Sequence, residues 1–136
     1  MKWTAKTRYA LAVLVVLSKA EPQTVPLSVI AQRLGLSKIY LEQVLAALRS
    51  HQLVIAQKGP SGGYRLNGNP SVWDVLIALE PEWNTLPESD FTDERMNILL
   101  REEVFGPALK HLRTDMSHRM IRSLADDYTE APMYYI

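Results

Sequence analysis

Ala31, Gly35 and Leu41 stand four and then six residues apart in the stretch LSVIAQRLGLSKIYLEQVLAALRS, and this spacing constrains the fold more than any other feature of the 136-residue chain. Two runs with helical apolar periodicity flank the glycine: Leu27, Ile30, Ala31 and Leu34 before it, Leu41, Leu45 and Leu48 after it. A small residue in the first helix lets the second approach closely, glycine supplies a left-handed turn that other residues resist, and the leucine anchors the second helix from beneath. Gly35 is a natural stop for the first helix and Ser37 an N-cap for the second. This is helix-turn-helix spacing, although an ordinary helical hairpin satisfies it as well.

The following residues narrow the choice. LVIAQ (53–57) and YRLN (64–67) are short apolar segments on either side of KGPSGG, which predicts a β-hairpin with a glycine-rich tip. Two strands after a helix-turn-helix make a winged helix. The glycines fit neither the nucleotide phosphate-loop pattern nor the dinucleotide-binding one. Upstream, residues 4–19 read as a helix with Thr4 as N-cap and an apolar face of Tyr9, Ala12, Val13, Val16 and Leu17. The same stretch resembles a secretory leader, with cations Lys2, Lys6 and Arg8 before the apolar run Ala10–Leu17. Lys19 in the would-be cleavage site, and Trp3 and Tyr9 interleaved with those cations, favour the helix. The run is too short to span a bilayer.

Downstream, SVWDVLIALE (71–80) has helical spacing at Val72, Leu76 and Leu79 and is ended by Pro81. A polar, acidic stretch follows. Residues 107–128 then carry Leu109, Leu112, Met116, Met120, Ile121 and Leu124 at three- and four-residue intervals, an apolar stripe suited to a partner helix or to the core of a single chain. The tail APMYYI is aromatic and has no role that the sequence explains, contact with a partner being one reading.

The formal net charge of zero hides an asymmetry between the halves. Residues 1–70 carry nine cations and two anions, net +7; residues 71–136 carry six cations and thirteen anions, net −7. A polyanion is drawn to the first half and repelled by the second. On a recognition helix, Ser37, Lys38, Tyr40, Glu42 and Gln43 would face the major groove. Lys38 can donate to guanine or phosphate, Gln43 can pair with an adenine edge, and Glu42 can accept from a cytosine amino group or sit in an exposed helix salt bridge. In the wing, Lys58, Gly59, Ser61, Gly62, Gly63, Tyr64 and Arg65 bring backbone N–H groups and charge to phosphates or the minor groove. Lys6, Arg8, Tyr9 and Arg49 are further candidate phosphate contacts.

Taken together, KTRYALAVL, IAQRLGLSKIYLEQVLAALRSHQLV and KGPSGGYRL make the first eighty residues resemble the bacterial winged-helix regulators typified by the iron–sulfur cluster regulator, the nitric-oxide-sensitive repressor and the cysteine-metabolism repressor. The resemblance implies a mainly α fold with a small β-hairpin wing: a winged helix-turn-helix over 1–80, an acidic linker or sensor region over 81–106, and a long dimerisation helix with its tail over 107–136. It implies a cytoplasmic, homodimeric transcription factor, usually a repressor, that binds a pseudo-palindromic operator on double-stranded DNA. On this resemblance Tyr40, Glu42 and Gln43 lie on the recognition helix, Gly59 to Tyr64 form the wing, and the 107–128 stripe crosses to the other subunit.

The second half departs from the family. Its iron–sulfur members place three cysteines in the region after residue 80, whereas this chain contains no cysteine. Clusters depend chiefly on thiolates, so no cofactor is expected, and thiol redox sensing is excluded with the cluster. Any effector, small molecule or protein, would be of another kind, and Trp73 and Trp83 could line its pocket. His111, Asp115 and His118 share a helical face and are weak candidates for zinc or iron, a solvated face being the commoner meaning of such spacing. No nucleophile with an orienting base is evident, so an enzyme is not expected. The rival reading is a winged helix that binds proteins and does not read DNA sequence.

Overall fold

The computed structural model describes residues 2–128; the APMYYI tail lies outside the described residues. In chain order the elements are α1 (Ala5–Ala20), α2 (Leu27–Leu34), α3 (Lys38–Ser50), β1 (Val54–Gln57), β2 (Gly63–Leu66), α4 (Val72–Leu79), a 3-10 turn (Pro81–Asn84), α5 (Glu94–Leu100), a π turn (Arg101–Phe105), α6 (Gly106–His118) and α7 (Ile121–Asp127). None of the described helices is long and apolar enough to cross a membrane.

α1 is the axis of the molecule. Its Oγ-capping Thr4 accepts from the Thr7 N–H at 3.3 Å, and Ala10, Val13, Leu14 and Leu17 are completely buried. The expected single apolar face is too narrow, because α2, α3, α4 and α7 all pack around this helix. Each large aliphatic side chain so enclosed contributes about 1.5–3 kcal/mol.

The helix-turn-helix forms as its spacing predicts. Gly35 closes α2 at φ 66°, where only chain conformation and no steric neighbour demands glycine. Ser37 Oγ accepts from the Tyr40 N–H at 3.2 Å and starts α3. The wing pairs Val54 with Leu66 and Gln57 with Gly63 in antiparallel register. Val25 adds a third rung, exchanging backbone hydrogen bonds of 2.8 and 2.9 Å with Tyr64. That close approach dictates Gly63: a Cβ there would lie 2.6 Å from the Val25 carbonyl carbon and oxygen.

The second half differs from expectation in two places. Helical torsions continue through Leu100, Arg101, Phe105 and Gly106, so residues 94–118 form one uninterrupted helix, and the position 106/107 lies inside it. Pro107 accounts for the π turn: proline has no N–H to give and its ring crowds the carbonyl four residues back, and the wider turn, in which the Gly106 N–H donates to Arg101 O, accommodates it. The expected helix over 107–128 is instead broken at Arg119 and Met120, both extended. The break is made by backbone partners elsewhere: the Val72 N–H donates to Arg119 O at 2.8 Å and the Ile121 N–H to Pro70 O at 3.0 Å. α7 then folds back on α1, where Arg122 donates through Nε and Nη2 to both carboxylate oxygens of Glu21.

Candidate nucleic-acid interface

α3 presents two faces. Leu41, Val44, Leu45 and Leu48 are buried, whereas Lys38, Ile39, Glu42, Gln43 and Ala46 are exposed. Among the described residues no ion pair holds Glu42, which leaves the carboxylate free to face a base edge. Tyr40 is half-buried and meets Tyr9 of α1 edge-on, ring centroids 5.3 Å apart and planes at 86°. The pair fixes the start of α3 against α1. Tyr9, Ser37 and Tyr40 together line a hollow of about 470 Å³ with Gly35 and Leu36.

The wing and α3 converge. Arg49, Lys58, Gly59, Gly62, Gly63 and Tyr64 line a second hollow, of about 440 Å³, between the hairpin and the start of α2. Lys58, Gly59, Ser61 and Arg65 are exposed, and the tip is held by the Thr24 hydroxyl donating to Ser61 O at 2.9 Å. Cations from α3 and from the wing therefore border one concave surface, an arrangement that suits a phosphate backbone. On α1, Lys6 and Arg8 are exposed, and Arg8 Nη1 donates to Trp3 O. That contact uses Arg8 to shape the segment leading into α1.

Below this surface lies a cluster that sequence reasoning missed. Glu80, 4 % exposed, sits at the end of α4 beside the first turn of α1. Burial opposes its charge, but the hydroxyls of Thr4 and Thr7, the indole of Trp83 and the field of Lys6 outweigh burial and hold the carboxyl below its ordinary value of 4.5. Glu80 Oε2 and Trp83 Nε1 are both buried without a hydrogen bond of good geometry, so the indole acts by proximity and not through a completed bond. Trp83 also packs on Trp3, centroids 4.6 Å apart.

The residues expected to form a dimer interface are wholly or partly buried within the protomer. Leu109 and Ile121 are buried in the chain's own core, Leu112, Met116 and Leu124 pack against it, and Met120 is half-buried in the backbone bridge to Ser71. The large apolar side chains left exposed in this half, among the described residues, lie earlier: Leu86, Phe91, Met96, Ile98, Leu99 and Val104. The available signal was RMNILL following the cap Asp93, whose carboxylate accepts from the Arg95 N–H at 3.0 Å. His111, Asp115 and His118 do not form a metal centre: both Asp115 oxygens accept from Arg119, at 2.8 and 3.2 Å, and this partner holds the Asp115 carboxyl below its usual range. No group of three potential ligands able to hold a metal exists among the described residues. Trp73 and Trp83 are packed in the core, and one hollow in this half, about 460 Å³, is lined by Leu86, Pro87, Phe105, Leu109 and Leu112 with Glu82 and Thr85.

The profile of one regulator family, Rrf2, described as iron-dependent transcriptional regulators, matches residues 3–126. The chain belongs to the Rrf2 family. Consistent with this, it is 42% identical over 84 residues to the HTH-type transcriptional regulator IscR of Vibrio vulnificus, covering 59% of this chain and 50% of that protein. Identity to IscR of Vibrio atlanticus is 46% over 84 residues, 59% and 49% of the two chains. The chain thus spans about half the length of the curated Rrf2 relatives it matches. Among solved structures, CymR, the global cysteine regulator of B. subtilis, superposes with a TM-score of 0.80 at 27% identity, covering 95% of this chain and 99% of CymR. IscR of T. potens superposes with a TM-score of 0.73 at 26% identity over 100% and 97% of the two chains. Rrf2 proteins are transcriptional regulators and not enzymes, and the fold here is the family's winged helix.

Proposed function

We propose that this Rrf2 protein is a cytoplasmic, sequence-specific DNA-binding repressor that acts as a homodimer on a pseudo-palindromic operator, with no iron–sulfur cluster. The observation that carries the reading is the joint surface of α3 and the wing: an outward face of Lys38, Glu42 and Gln43 beside a hollow bordered by Arg49 and Lys58. Glu42, Gln43 and Lys38 read base edges; Arg49, Lys58, Arg65 and Lys6 hold phosphates.

α5 supports the dimer. It is tied to its own chain through buried Asn97, which exchanges hydrogen bonds of 3.1 and 2.7 Å with the Phe91 backbone, while Met96 and Leu99 stand 42% and 52% exposed. A helix with unpartnered apolar side chains is the natural place for a second copy. Two recognition helices about 34 Å apart would then read half-sites one turn of DNA apart.

The family's iron dependence does not fit this chain's donors. With no thiolate in the sequence and Asp115 engaged by Arg119, the second half offers no ligand set for a cluster. An effector, small molecule or protein, would act from this half without redox chemistry.

The test is to mix the purified protein with fragments of its source genome near physiological salt and sequence what is retained. A two-fold-symmetric motif is expected, with affinity falling steeply as salt rises. Retention that is independent of sequence and of salt would overturn the reading in favour of a protein-binding winged helix.

A further inference from the structure

We propose that Ile39 reads the C5-methyl group of a thymine in the major groove, a specificity role that rests on the DNA-reading function proposed above. Ile39 is 75% exposed, far more than any other large hydrophobic side chain named among the described residues. It is the second residue of α3, in the turn capped by Ser37. At about 100° per residue, Ile39 points directly away from the midpoint of buried Leu41, Val44, Leu45 and Leu48. Glu42 and Gln43, three and four residues on, flank it on the same outward face, and Ala46 follows at the next turn.

Isolated apolar side chains are common on protein surfaces. What sets Ile39 apart is its position at the centre of the face that α3 turns away from the core, in a turn where a lysine or glutamine would be the better helix former and would stay solvated. Its neighbours on that face are polar or small, so it does not belong to an apolar patch of the size that protein partners bury. One apolar group among hydrogen-bonding ones matches a different target. In the major groove only thymine combines an acceptor with a methyl group, and an adjacent adenine offers the donor and acceptor that Gln43 can pair. β-branching leaves isoleucine few rotamers, so the methyl-facing surface is preset before binding. The half-buried Tyr40, held edge-on by Tyr9, leaves Ile39 as the apolar residue of this turn that is free to meet a base.

The experiment begins with the full chain and random duplex DNA, selected near physiological salt to define the preferred site. Each thymine of that site is then replaced in turn by deoxyuridine, which removes the methyl group and nothing else. One thymine per half-site is expected at which the replacement weakens wild-type binding about fourfold, the affinity equivalent of one buried methyl group. At the same thymine, Ile39→Ser should lose its preference and become indifferent to the replacement. Failure of the wild-type chain to select any site would overturn the DNA-reading function itself. A clear site at which no deoxyuridine matters, or at which Ile39→Ser stays as sensitive as wild type, would overturn the assignment of Ile39 and leave that function standing.

Discussion

Trp3 and Trp83 pack with ring centroids 4.6 Å apart and planes inclined at 55°, joining the segment before α1 to the 3-10 turn after α4. Trp83 is 4% exposed, Trp3 40%, so one ring is core and the other its lid. Trp83→Ala is expected to destabilise the fold by about 3–5 kcal/mol, whereas Trp3→Ala should cost a fraction of that. Urea unfolding of the two variants checks the order; equal costs would show that the lid, and not the buried ring, carries the contact.

Glu80 gives the stability a pH dependence of definite sign. A carboxyl held below its unfolded value contributes stability that is fully present above that value, here 4.5, and lost as pH falls through the lower folded value. Glu80→Gln should therefore lower stability near neutral pH and do so progressively less in acid. Unfolding midpoints of wild type and variant measured from neutral pH downward should converge; parallel curves would mean that the charge contributes nothing.

Gly63→Ala tests the seating of the wing. The new Cβ would lie 2.6 Å from the Val25 carbonyl carbon, and the backbone stands at φ 154°. A loss of about 1–3 kcal/mol is expected from the overpacking, with the hairpin shifted from α1 and DNA affinity reduced. Unchanged stability and affinity would show that the wing can move aside at no cost.

Lys58→Ala and Gln43→Ala separate holding from reading. The first should weaken binding to every DNA sequence and flatten the salt slope by about one unit, and the second should relax the preference at one base position. Affinities across a salt series on matched and mismatched sites would reveal the division, and identical effects from both variants would abolish it.

Leu99→Glu separates the proposed dimer surface from the core. Leu99 is 52% exposed, so the protomer should keep its stability to within about 0.5 kcal/mol while the dimer dissociates. Leu109→Ala, at a site 7% exposed, should instead cost about 2–5 kcal/mol in folding. Sedimentation of Leu99→Glu as an intact dimer would place the contact elsewhere.

The helix-turn-helix and the wing are legible because their signals are local: the turn conformation of Gly35, the cap of Ser37, and short apolar strands around a glycine tip. The second half is less so. RMNILL is masked by the acidic residues around it, and the break at Arg119–Met120 is dictated by hydrogen bonds to Pro70–Val72, remote in sequence. The contact of Tyr40 with Tyr9 is remote in sequence, and Ile39, apolar and therefore assigned to no polar role, is passed over although it lies outward. Glu80 looks like a helix-end surface acid because Thr4 and Thr7, which lie beside it in the fold, are remote from it in sequence. The stripe at 109–124 is correctly apolar, and periodicity alone does not say whether its partner is another chain or the same one.

The π turn at Arg101–Phe105 sets the rotation between the two ends of this helix. One extra residue in a helical turn offsets everything beyond it by about 100° around the axis. Ahead of the turn the apolar side chains look outward, at Met96 and Leu99; behind it they look inward, at Leu109, Leu112 and Met116. A single rod thus carries two apolar faces, one seated in the protomer's own interior and one exposed, with the turn acting as the angular setting between them. Removing one residue from it would re-index the rod, swinging the exposed face by about 100° while the inner face stays seated.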